Sequence, residues 1–147
     1  MYNTPLNPPT TEDAIYQLTH CSIKDTLSAI QPTDLHAVLR TVWPSLQLLH
    51  DDKAIDIIAA AIARTVQQVA VAQPMDADKV RRAAYFIWED YRHLSIEDVM
   101  LCLKMGVKGQ LTPFYGRLDA QVIYDWFHEY NIQRDEAARL ELLRMMD

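Results

Sequence analysis

The sequence predicts an all-α protein: a compact orthogonal helical bundle of five to seven helices, with a glycine-containing loop before the last long helix. Three observations carry this. Only three of the 147 residues are glycine, far below the roughly 7 % of average proteins, and sheets built from hairpins need glycine in their turns. Apolar residues recur at helical spacing, most plainly Ile55, Ile58, Ile62, Val66 and Val69, the stripe of one buried helix face. Ser, Thr and Asp stand just ahead of such stripes, where they cap helix N-termini. Half of the residues are hydrophobic, so the chain can bury a real core as one domain.

In chain order, Met1–Pro9 holds three prolines and little that can pack. Residues 1–10 read as a flexible arm and 11–147 as a single helical domain. Thr10, with Asp13 three residues on, opens a first helix that carries Ile15 and Leu18 and stops near His20. Ser22 opens a second, with Ile23, Leu27 and Ile30. Thr33 is the expected cap of a third, bearing Leu35, Val38, Leu39 and Val42 and ending before Pro44. Leu46, Leu48 and Leu49 form an apolar knot. A long helix follows from Asp51 to Ala72, slim on its other sides at Ala59, Ala60, Ala61 and Ala63.

Asp76 or Asp78 begins the next helix, whose core face is Val80, Ala83, Ala84, Ile87, Trp88 and Tyr91. Ser95 caps the one after it, with Asp98 three positions later and Leu94 able to staple across to Val99. This helix runs through Leu103 and Met105 to Gly106, which has the position and chemistry of a left-handed C-terminal cap. Asp119 caps the last helix, with Val122, Ile123, Trp126, Phe127 and Tyr130 buried. The expected core combines Ile55, Ile58, Ile62, Ile87, Trp88, Val99, Leu103, Ile123, Trp126 and Phe127.

The formal net charge of −6 is shared evenly, −3 in each half. It speaks against a general nucleic-acid binder, which is usually basic. Cys21 and Cys102 are too few for a disulfide framework and suit a reducing cytoplasm. The opening residues lack the basic and apolar regions of a signal peptide. No apolar run approaches the ~20 residues of a membrane helix. A cytoplasmic protein without membrane contact is therefore expected.

All three glycines fall within Gly106–Gly116. No acidic residue occurs between Val99 and Leu118, yet Lys104, Lys108 and Arg117 do. Glycines let backbone N–H groups converge on an anion, and Phe114 and Tyr115 can stack on bases. Lys104, Lys108, Arg117, Phe114 and Tyr115 are thus the candidate anion- or partner-binding residues. The structural alternative is that Gly106 ends a helix, Gly116 turns the chain, and Phe114 and Tyr115 plug the core. The motif of a P-loop is absent.

The five histidines are scattered, with no zinc-ligand spacing, and no serine has a nucleophile-elbow context. Asp125, His128 and Glu129 read as the exposed face of the last helix. Neither an enzyme, nor a cofactor, nor a metal is expected.

Leu94-Ser95-Ile96-Glu97-Asp98-Val99, then Gly109, Tyr115-Gly116-Arg117-Leu118-Asp119, Gln121-Val122-Ile123, Trp126, Tyr130 and Arg134 together resemble a family of small helical proteins. These are mostly uncharacterised and are carried by phages and mobile elements of gut bacteria. The resemblance covers roughly 74–134. Members often have a glycine and a lysine where this chain has Thr112 and Pro113. The layout is also similar to small phage proteins that load or restrain a replicative helicase. By that analogy the resemblance implies a non-enzymatic accessory protein of DNA replication, acting in the bacterial host cell by docking on a protein, with at most weak single-stranded DNA binding. The alternative is a structural or host-interaction module, such as a virion component or an inhibitor of a host protein.

Overall fold

The computed structural model describes residues 8–146. Among them seven α-helices follow in order: α1 Thr11–His20, α2 Ile23–Ala29, α3 Leu35–Val38, α4 Asp51–Gln68, α5 Ala77–Asp90, α6 Ile96–Val107 and α7 Ala120–Met145. A single 3-10 turn, Leu46–Leu48, lies between α3 and α4. Residues 1–7 of the expected N-terminal arm lie outside the described residues. No described helix is long and apolar enough to cross a membrane.

The capping chemistry sets most of the starts. Thr10, Ser22, Asp76, Ser95 and Asp119 each accept a backbone N–H three residues on, from Asp13, Asp25, Lys79, Asp98 and Val122. The third helix differs from expectation. Asp34, not Thr33, caps it, its carboxylate accepting the Ala37 N–H at 2.8 Å; an ionised acceptor also suits the helix dipole. That helix is short because the Arg40 and Thr41 N–H groups fold back to Ala37 and Val38 in tighter turns. The Thr41 hydroxyl then takes the Trp43 N–H, and such local bonds compete with helix. His50 caps α4 through Nδ1. α4 ends at Gln68 rather than Ala72; the β-branched Val69 and Val71 beyond it are poorer helix formers.

α4 is the central element. It packs against α2, α5 and α6, and α7 lies against α5 and α6. All ten expected core residues are buried. In the apolar knot Leu46 is buried, whereas Leu48 is exposed. Leu46 and Gln47 donate backbone N–H groups to the carbonyls of Leu94 and Arg92, and Ser45 pairs with Ser95 in an isolated antiparallel bridge. The chain entering α4 is thereby tied to the junction of α5 and α6.

The glycines have different tasks from those the sequence suggested. Gly106 is no left-handed cap. It is buried inside α6, and a Cβ there would overlap the ring atoms of Trp126. The left-handed residue is Gly109, with φ of 73°. Gln110 N–H reaches Met105 O at 2.9 Å and Gly109 N–H reaches Gly106 O at 3.0 Å, the paired bonds of a Schellman ending with Lys108 as the cap. Replacing Gly106 by alanine therefore forces the indole aside. We expect Gly106→Ala to cost about 3 kcal/mol, as overpacked cores do, and Gly109→Ala about 1–2 kcal/mol from backbone strain alone. Urea denaturation midpoints of the two variants check this ordering.

Candidate anion-binding site

Lys104 lies in the last turn of α6 and Lys108, four residues on, is its C-cap residue. The Lys104 ammonium donates to the Pro32 carbonyl at 2.8 Å. Both lysines line a depression of about 270 Å³ where the C-terminal ends of α2, α4 and α6 meet. Arg117 is not in that lining. It pairs with Asp119 at 2.9 Å and lines a different depression beside Pro74, Met75 and Lys79. Of the three expected cations, two share a site. The third is occupied at the start of α7.

The aromatic pair also separates. Phe114 sets its edge on Trp126, centroids 5.6 Å apart, and packs against the core. The Trp126 ring is fully buried and donates its N–H to Thr112 O at 3.1 Å. Tyr115 is 92 % exposed. Its φ is 46° and that of Gly116 is 76°, with the Arg117 N–H returning to Phe114 O at 2.8 Å. Two successive left-handed residues inside such a bond make a type I′ turn. A second exposed aromatic group lies outside the loop: Tyr85 and Phe86 on α5 meet edge to face, and Phe86 meets Tyr124 of α7 in the same way.

The depression holding Lys104 and Lys108 has a third cation that sequence reasoning missed. Arg64, one turn before the end of α4, lines it with Thr65 and Gln68. Its Nη1 is buried and has no hydrogen-bond partner, and Arg64 makes no ion pair among the described residues. An unsatisfied buried donor costs about 1–3 kcal/mol, more when charged. No carboxylate lines the depression. Ile30, Met100, Leu103 and Val107 supply apolar walls. In the sequence Arg64 is one charge interrupting an alanine-rich stripe. Its proximity to lysines some forty residues away is a tertiary fact with no local signal.

A second polar centre is structural. Asp98 is fully buried. Its Oδ2 accepts the Ser95 N–H at 2.9 Å and the Ser95 hydroxyl at 3.1 Å. Its Oδ1 accepts the Tyr130 hydroxyl at 2.6 Å and Arg134 Nε at 2.9 Å. Burial pushes the Tyr130 phenol well above its ordinary value, and the Asp98 charge adds to this. Burial likewise raises the Cys102 thiol, again with a contribution from Asp98. A carboxylate offers about four acceptor positions. With these filled, Asp98 has none left to take a proton from a substrate.

The histidines are dispersed: His20 bonds the Tyr16 carbonyl, His36 faces Glu141, His50 caps α4 and His93 meets Asn131. No group of three metal-ligating side chains occurs among the described residues.

Asp98→Asn leaves Arg134 without its counter-charge and is expected to cost about 3–5 kcal/mol, the penalty for breaking a buried pair from one side. Tyr130→Phe removes one donor and is expected to cost about 1–3 kcal/mol. Chemical denaturation followed by circular dichroism measures both. Compared with family models, with curated proteins and with solved structures, the chain finds no match in any of the three.

Proposed function

We propose that this is a non-enzymatic docking protein, and that the accessory role implied by its resemblance to phage and mobile-element proteins is exercised through protein contact. The supporting observation is the end of α7. Ile132, Leu140, Leu142, Leu143, Met145 and Met146 are all exposed. Leu140, Leu143 and Met146 follow at intervals of three, so they present one ridge. Scattered apolar residues are ordinary on a surface, but a contiguous group marks an interaction site.

Of the charges between Ile132 and Met146, all but Asp135 are ion-paired among the described residues. Arg139 pairs with Glu136 and Arg144 with Glu141. Glu141 also accepts from Arg40 of the α3–α4 connection at 2.6 Å, and that hydrogen bond above all holds its carboxyl below the usual range. A partner therefore needs no complementary charge. It needs an apolar groove into which the helix can lay its ridge. Such binding is little affected by salt, unlike binding to a phosphate backbone. A replicative helicase is the partner that the resemblance suggests, and an acidic chain of this kind is poorly suited to hold DNA itself.

The test is direct binding of a purified bacterial replicative helicase at two salt concentrations. We expect binding to change less than about threefold between 50 and 300 mM salt, and the Leu140→Asp, Leu143→Asp double variant to lose it. That variant should keep its thermal midpoint, since exposed substitutions usually change stability by under about 0.5 kcal/mol. Unchanged helicase binding by the variant removes the α7 ridge from the reading. A strongly salt-dependent complex with single-stranded DNA, and none with helicase, replaces the reading with nucleic-acid binding.

A further inference from the structure

We infer that the depression between the ends of α2, α4 and α6 binds a small organic monoanion, a carboxylate with a short hydrocarbon body. The inference is independent of the α7 ridge.

Three cations line the depression, and no carboxylate does. Elsewhere on the surface Arg40, Arg81, Arg117, Arg139 and Arg144 each have a carboxylate partner. Arg64, like Arg82 and Arg92, has none among the described residues, and unlike theirs its Nη1 is shielded from solvent without any acceptor. Three helices end here, each bringing carbonyl oxygens and about half a negative charge. The Lys104 ammonium bonds Pro32 O, a loop carbonyl beyond the end of α2. The three full charges exceed the three helix ends by only between about one and two. That excess fits a monoanion and does not fit a polyphosphate.

Size and lining narrow the ligand further. The volume of about 270 Å³ lies just below the roughly 300–1,000 Å³ of ordinary small-molecule pockets. Apolar walls from Ile30, Leu103 and Val107 stand beside the cations. A bare inorganic ion would leave those walls wet, and a neutral hydrocarbon would leave Arg64 unanswered. A carboxylate head against Arg64 and Lys108, with a few carbons along α6, satisfies both. A guanidinium is suited to such a head because its N–H groups match the two oxygens.

The experiment titrates the full chain at low salt with hexanoate, hexanol and inorganic phosphate, following binding calorimetrically and by thermal shift. We expect hexanoate to bind at least about tenfold more tightly than either control, the difference of one charge-assisted contact. Arg64→Met should weaken hexanoate at least about tenfold while leaving the unliganded midpoint unchanged or higher, because it removes a buried donor that lacks a partner. Lys108→Gln, at an exposed position, should weaken it by about threefold without affecting folding. Equal binding of hexanol would reduce the site to an apolar hollow. Equal binding of phosphate would make it an unselective anion trap. Hexanoate bound as tightly by both variants as by the unaltered chain would overturn the assignment outright.

Discussion

The carboxylate of Asp98 is the constraint on which the other contacts depend. A charge this deeply buried must be paired and hydrogen-bonded, or it destabilises the fold by several kcal/mol. Here the two oxygens divide the task. Oδ2 closes the capping box with Ser95 and so fixes where α6 begins. Oδ1 receives Tyr130 and Arg134 and so fixes where α7 passes α6. Ser95 also pairs with Ser45, which carries the constraint on to the start of α4. Eight residues further along α6, or about 12 Å at 1.5 Å per residue, Gly106 lets the Trp126 ring lie against its backbone. One polar and one apolar contact thus hold the same pair of helices near both ends of α6. Since α6 meets Tyr130 and Arg134 near its start and Trp126 near its end, the two helices run in opposing senses.

This arrangement gives the sequence motif spanning 94–134 a physical meaning. Asp98, Tyr130 and Arg134 form the buried polar centre, Trp126 fills the space left by Gly106, and Gly109 and Gly116 supply left-handed turns. Ser95, Asp98, Gly109, Trp126, Tyr130 and Arg134 of that motif are accounted for by folding. They specify how α6, the loop and α7 fit together, and they do not by themselves form a binding site. The groups best placed to bind something, Arg64 and the α7 ridge, lie outside that motif.

What the sequence made legible follows the same division. Helix stripes and caps are local patterns, so Thr10, Ser22, Ser95 and Asp119 could be read directly, as could the ten core residues, with Asp76 one of two candidates for its helix. Gly106 could not. A glycine serves equally for a positive φ and for close approach of a ring, and only the position of Trp126 twenty residues later distinguishes the two. Asp98 was legible as the capping-box partner of Ser95, and that sufficient local explanation concealed its tertiary role. The basic loop looked like one site because its cations are neighbours in sequence. In space Arg117 answers Asp119, while Lys104 and Lys108 line one depression with an arginine of another helix.

The second half of α7 reverses the usual arrangement of a surface helix. Beyond Tyr130 its ties to the body include polar ones, Arg134 to Asp98 and Glu141 to Arg40 and His36, while its larger apolar side chains face outward. Of these ties Arg134–Asp98 is buried at the carboxylate and stabilising; the Glu141 pairs lie at the surface and orient the helix more than they stabilise it. Full burial of a leucine is worth about 1.5–3 kcal/mol, and this segment leaves several such contributions unrealised in the isolated chain. A partner that covered the ridge would gain them without having to break any contact within the protein. The polar ties hold this segment beside α3, and they leave Leu140, Leu143 and Met146 exposed in the isolated chain.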